Sequence, residues 1–156
     1  MDKTPSSSEN CLILFSSALE FAINKKIIMN KLIIDAANEK IFLMLIKDKN
    51  IYSVSHENSK TNYEKLTILI NDFLNNYDLK VAEISELYVN RGPGSFAGIR
   101  NSLAVVKAFY VAQRIDYYCY SFNDFDKSYT NKYEKIPDLC NKLKIKKNLI
   151  NPIYIS

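Results

Sequence analysis

The sequence predicts an α/β domain on a mixed five-stranded sheet, and three observations carry that prediction. Three β-rich runs, Lys31 to Ala36, Lys40 to Lys47 and Asn50 to His56, are separated only by the short polar links Ala37-Asn38-Glu39 and Asp48-Lys49. Runs so closely joined suit an antiparallel meander. Two helical stretches then alternate with two further strands. Finally, the chain holds three glycines, Gly92, Gly94 and Gly98, and all of them fall where a strand passes into a helix. With 156 residues and 47% hydrophobic content the chain can bury one core, so a single folded domain is expected.

The elements follow in order. The first helix spans Thr61 to Tyr77, because Leu66, Leu69, Ile70, Phe73 and Tyr77 recur on one face. A turn over Val81 to Ser85 leads to the strand Glu86 to Asn90. After the glycines a second helix spans Phe96 to Arg114, and the last strand is Tyr117 to Ser121. Three strands, a helix, a strand, a helix and a strand is the order of one ribonuclease-H-like lobe, the unit that actin-like ATPases duplicate.

The glycine segment can be read residue by residue. Pro93 pre-sets φ for the second position of a tight turn, Gly94 is expected to take the positive φ that a type II turn needs next, and Ser95 stands as an N-cap. Gly98 leaves the first helical turn bare, so a neighbouring element can approach it. Two readings of the corner stay open: a plain connection, or one whose exposed amides hold an anion.

The run Gly92-Pro93-Gly94-Ser95-Phe96-Ala97-Gly98-Ile99-Arg100, followed by Leu103, Ala104 and Lys107-Ala108, resembles the G-P-G-S-F-T-G-[LIV]-R signature of the TsaB (YeaZ) family. Those proteins are bacterial partners in making threonylcarbamoyladenosine beside the tRNA anticodon. Leu32-Ile33-Ile34-Asp35 is similar to the family's first strand, and Pro152-Ile153-Tyr154-Ile155 to its terminal P-x-Y-[LIV]-R. The resemblance covers residues 31–125 and the last few. The chain departs from the pattern at Ala97 for Thr, at Ala36 and Ala37 for hydroxyl residues, at Thr61-Asn62 for His-Ser, and at Ser156 for Arg. Relatives also continue into a second lobe, whereas here about thirty residues separate Phe125 from the terminal motif. The resemblance implies an actin-like fold without catalysis of its own. It also implies docking through the two helices of this lobe onto a TsaD-type transferase or a second copy, with a TsaE-type ATPase in the same assembly.

The second helix adds a physical argument. Ile99, Leu103, Val106 and Tyr110 form one apolar face, while Val105, Ala108, Phe109 and Ala112 form a second on nearly the opposite side. Charge is confined to Arg100, Lys107 and Arg114. A helix lying on one sheet needs one apolar face, so the other is expected to meet a neighbouring helix of the lobe or another chain. Ala108 and Ala112 permit close helix approach, and Ile68 on the first helix also points away from Leu66, Ile70 and Phe73. The candidate partner surface is therefore Ile68, Val105, Ala108, Phe109 and Ala112. The candidate corner is Gly92, Pro93, Gly94, Ser95, Gly98 and Arg100.

Catalytic patterns find little support. A ribonuclease-H-like nuclease needs carboxylates that converge on two metal ions; Asp35 and Glu64 suit the first strand and first helix, but the fourth strand ends in Asn90. An actin-like ATPase needs Gly and hydroxyls after the first-strand Asp, where this chain has Ala36, Ala37 and Asn38. Asp35 is then a polar cap at a strand end. The lone histidine, His56, offers no paired-histidine metal site and is expected in an exposed loop.

Charge and termini complete the reading. From Asp126 onward seven Lys face three acidic residues, while residues 1–125 carry fourteen of each sign, so the net charge of +4 lies in the tail. Lys142, Lys144, Lys146 and Lys147 suit either a solvated run or contact with tRNA phosphates. Cys11, Cys119 and Cys140 are too few and too irregular for a disulfide framework or a zinc site, which favours a reducing cytosol. The apolar run Cys11 to Ile23 is too short to span a bilayer, so no membrane association is expected. Met29-Asn30-Lys31 leads directly into the first strand, which makes Met29 the expected start and residues 1–28 an extension that packs poorly, stays disordered or is not native. Residues 29–125 are the expected lobe and 126–156 a basic tail in place of the second lobe. The whole describes a cytoplasmic, non-catalytic scaffold for tRNA threonylcarbamoylation, with no metal or cofactor assigned. A divergent nuclease and a nucleotide-binding protein are the alternatives.

Overall fold

β1 (Asn30–Asp35), β2 (Lys40–Lys47) and β3 (Asn50–Glu57) form an antiparallel meander, and β4 (Glu86–Asn90) and β5 (Asp116–Tyr120) add in parallel on the other side of β1. The sheet order is β3-β2-β1-β4-β5. The computed structural model describes residues 10, 12–14, 16–17 and 28–155. Of the expected extension, the few described residues are exposed; whether the remainder is ordered lies outside the described residues. Among the described residues no helix is long and apolar enough to cross a membrane.

Among residues 28–155 the sheet is accompanied by α1 (Lys60–Glu64), α2 (Leu66–Asn75), α3 (Phe96–Gln113) and α4 (Ile136–Lys142). The single helix expected over Thr61 to Tyr77 is instead broken at Lys65, whose φ of −96° and ψ of 10° interrupt the helical run. The break has a packing reason. It lets Tyr63 on α1 reach Ser95 (2.9 Å between hydroxyls) while Leu66, Ile70, Phe73 and Leu74 on α2 enter the core. α3 ends as expected for its last turn, with Arg114 in the left-handed region and its N–H bonded to the Tyr110 carbonyl.

β1 reads Leu-Ile-Ile because both of its faces are covered. Leu32 and Ile34 join Leu43, Leu45, Leu87 and Val89 against the buried residues of α2 and α3, chiefly Ile70, Leu74, Ile99, Leu103 and Val106. Ile33 faces the other way, into a second cluster with Met44, Tyr88, Tyr120 and Phe125, closed by Ile136, Leu139 and Cys140 of α4. The tail is thus a folded layer. It runs through short 3₁₀ turns to α4 and covers the sheet face away from the long helices.

From α4 the chain returns along β5. Tyr118 and Lys147 form an antiparallel bridge, the Asn148 N–H donates to the Tyr117 carbonyl (2.8 Å), and the Tyr117 N–H donates to Asn148 Oδ1 (3.0 Å). Asp116 anchors the same stretch, accepting from Lys147 Nζ (2.8 Å) and Asn148 Nδ2 (2.7 Å). One edge of the sheet is covered in this way.

Candidate functional site

The glycine segment connects β4 to α3, but its turn differs from the one expected. Positive φ falls on Gly92 (+103°) and not on Gly94, and the Gly92–Pro93 peptide is cis. The reason lies two residues earlier, where Asn90 Oδ1 accepts from the Gly92 N–H (2.9 Å) and folds the chain back before the Pro-Gly pair is reached. Gly94 instead sits against the Ala37 carbonyl, which also accepts from the Ser95 N–H (2.8 Å). Ser95 is the N-cap of α3, its Oγ accepting from the Gly98 N–H (3.3 Å). Gly98 allows the closest approach, because a methyl there would overlap the Ala36 carbonyl oxygen at the end of β1.

The end of the chain closes over this corner. The Ile153 N–H donates to the Arg91 carbonyl (2.7 Å), and the Tyr154 ring lies 4.8 Å from that of Phe96. Arg91 binds both ways, with Nη2 on the two Asp124 oxygens (2.8 and 3.0 Å) and Nη1 on the Asn151 carbonyl (3.2 Å). Its neighbours in sequence give no hint of this, since the partners lie more than thirty residues away. The N–H groups of Gly92, Ser95, Gly98 and Ile99 have acceptors within the chain. Arg100 lies exposed on the next helical turn.

Asp35 is wholly buried at the end of β1. Its Oδ1 accepts from the Ala37 N–H (3.0 Å), and its Oδ2 from Asn38 Nδ2 (2.7 Å), Asn90 Nδ2 (3.0 Å) and the Tyr133 hydroxyl (2.8 Å). Where a nuclease would bring its third carboxylate, Asn90 donates a hydrogen bond instead. Burial, and then the charge of Asp35, push the Tyr133 hydroxyl well above the usual tyrosine range, so it stays a donor. Glu64, the other expected carboxylate, is exposed and lies 4.0 Å from Lys60. Among the described residues no group of three or more His, Cys, Asp or Glu is placed to hold a metal ion.

His56 corrects a further expectation. It lies within β3 and is half-buried, with its Nε2 out of solvent and without a hydrogen-bond partner, because the ladder with β2 holds it opposite Ile41. Cys119 and Cys140 are free and buried, and burial pushes their thiols up to about 11 and about 12. Of the tail lysines, Lys142, Lys144 and Lys146 are exposed with Lys147, but Lys147 is paired with Asp116.

The outer side of the helical layer is apolar and open. Ile68 is 55% exposed and Ala108 and Ala112 are exposed, whereas Val105 and Phe109 are half-buried and turn into the core. The open stripe therefore runs along Ala97, Ala104, Ala108 and Val111, the last 61% exposed. At its N-terminal end a hollow of about 470 Å³ lies between α1 and α3, lined by Lys60, Tyr63, Glu64, Ala97 and Asn101. Val111 belongs to neither expected apolar face, because the helical period sets it beside the charged Arg100 and Lys107.

A mixed sheet of this order, with helices on one face and a strand-to-helix corner against the end of β1, defines a single ribonuclease-H-like lobe of the actin-like type. Its fold is similar to that of part of YeaZ from Pseudomonas aeruginosa, with a TM-score of 0.56 over 60% of this chain and 44% of that one, at 20% identity. A second solved structure, described as an uncharacterized protein with similarity to peptidase YEAZ from Pseudomonas aeruginosa, matches with the same TM-score and identity over 60% of this chain and 43% of that one. The chain thus spans less than half the length of either structure. No protein-family model matches it.

Proposed function

We propose that this chain is a non-catalytic subunit in tRNA threonylcarbamoylation, docking its α2–α3 face onto a TsaD-type transferase and holding that enzyme in an active arrangement. The observation that carries the reading is the open stripe of small and apolar residues, Ala97, Ala104, Ala108 and Val111, beside exposed Ile68. Small residues let a partner helix approach closely, and an apolar stripe of this kind gains by being covered. The resemblance of the glycine segment to the TsaB signature and the YeaZ-like fold supply the choice of partner. Binding rather than catalysis is supported by Asp35, whose oxygens are occupied by four donors from the chain itself, and by two cysteines too protonated to act as nucleophiles.

The test is direct binding of the purified chain to the transferase, by calorimetry or co-purification. Ala108→Glu places a charge in the middle of the stripe on an exposed position, so the subunit should keep its unfolding midpoint and lose the partner. Undiminished binding by that variant would refute the assignment of this face.

A further inference from the structure

The geometry points to a small-molecule site between the sheet and α4, suited to a polar, zwitterionic amino acid. A cavity of about 510 Å³ lies on the sheet face away from α2 and α3, where the starts of β1, β4 and β5 meet α4 and the loop that follows it. That volume falls within the range of about 300–1,000 Å³ typical of ligand pockets. Charge keeps it open. Lys31 and Glu86 stand opposite each other in register on β1 and β4 and both line the cavity, so an apolar side chain laid over them would desolvate the pair. The inner wall is also fixed in advance. Glu86 accepts from the Tyr88 hydroxyl (2.7 Å) and lies 3.5 Å from Lys31, and the Tyr88 ring stacks on that of Tyr118 with centroids 5.1 Å apart. Burial, and then the bond to Glu86, push the Tyr88 hydroxyl well above the usual tyrosine range, so it stays a donor. Side chains already held by one another lose little freedom when a ligand enters.

The rim selects the ligand. Five charged residues line the cavity, and three of them are already matched: Lys31 with Glu86, and Lys147 with Asp116 outside it (2.8 Å). Asp138 and Lys144 remain, one of each sign. Among the described residues neither side chain takes part in a hydrogen bond or ion pair. Asp138 shares its edge of α4 with Asn141, three residues on, and Lys144 follows where the chain turns back in the left-handed region (φ 52°). A ligand that satisfies both ends carries an anion for Lys144 and a cation for Asp138 while staying neutral as a whole. The α-carboxylate and α-ammonium of a free amino acid do this, and the amide of Asn141 beside them suits a polar side chain. The site lies across the sheet from the helical face, so it goes beyond the docking reading and does not depend on it.

Saturation-transfer NMR on the full chain, with each of the common amino acids in turn at up to about 10 mM, tests the inference. Because both rim charges are exposed, the best of them is expected to bind with a dissociation constant of about 0.1–1 mM. Its N-acetyl derivative, which lacks the cation, and its amide, which lacks the anion, should each bind at least about threefold more weakly. Lys144→Glu turns an attraction into a repulsion and should weaken binding about tenfold, and Asp138→Asn about threefold. Both positions are exposed, so unfolding midpoints should stay near that of the parent. Ala108→Glu, on the other side of the sheet, should leave binding unchanged. Absence of binding by every amino acid, blocked derivatives that bind as well as the free one, or a complex indifferent to either rim variant would overturn it.

Discussion

Replacing Gly98 by alanine sets two effects against each other on one residue. Helix propensity alone favours alanine over glycine inside a helix by about 1 kcal/mol. At this position, however, the added methyl would overlap the Ala36 carbonyl oxygen, lie 2.8 Å from that carbonyl carbon and 3.0 Å from the Tyr63 ring. Ala36 is fully buried main chain at the end of β1 and cannot swing aside as a flexible side chain would. Overpacking of this kind costs about 1–3 kcal/mol, and backbone as the obstacle argues for the upper end. The net expectation for Gly98→Ala is a loss of about 1–2 kcal/mol, opposite in sign to propensity. Ala104→Gly, on the exposed side of the same helix, should also lose about 1 kcal/mol, by propensity alone. Urea unfolding of both variants, with the m-value checked for constancy, measures the pair. A Gly98→Ala protein as stable as its parent, or more so, would refute the argument that α3 is held against β1 at that glycine.

Other consequences can be measured on the same material. Tyr133→Phe removes a donor to Asp35 Oδ2 but leaves the ring against Phe42 and Phe122, so it should cost about 1–2 kcal/mol in urea unfolding. Asp116 is held below the usual carboxylate range by its hydrogen bonds from Asn148 and then Lys147. Its stabilising effect is therefore present above the unfolded-state value and lost as pH falls through the lower folded value. Asp116→Ala should flatten the acid side of the stability profile, and an unchanged profile would count against the anchor. Cys119 and Cys140, with thiols raised to about 11 and about 12, should resist alkylation at mildly alkaline pH until the protein unfolds, which peptide-resolved mass spectrometry can follow.

The sheet and long helices were legible because their signals are local. β2 and β4 match their expected ends, and α3 differs by a single residue, since alternation and helical periodicity act over neighbours in sequence. The break at Lys65 was invisible because it answers to Ser95, on another element. The Gly92 turn was misplaced for a related reason: the Asn90 side chain, not the Pro-Gly pair, sets where the chain reverses. Least legible was the tail, whose apolar residues Phe125, Ile136, Leu139 and Cys140 are scattered among charges and acquire meaning only against Ile33, Met44 and Tyr88. A seven-residue helix is too short to announce itself by period. At the candidate surface, Ile68, Ala108 and Ala112 could be picked from periodicity, but how far Val105 and Phe109 lean inward depends on the sheet beneath them.

The bond from Tyr133 to Asp35 joins residues 98 positions apart and has a temporal implication. During synthesis β1 leaves the ribosome with one apolar face still bare, and Tyr133, in the layer that covers it, follows 98 positions after Asp35. Until α4 emerges, Ile33, Met44 and Tyr88 lack the cover of Ile136, Leu139 and Cys140, and the nascent chain offers a greasy sheet to any chaperone within reach. Completion of this layer therefore waits on α4, and slowing translation between β5 and α4 should prolong that exposure more than slowing it before β1.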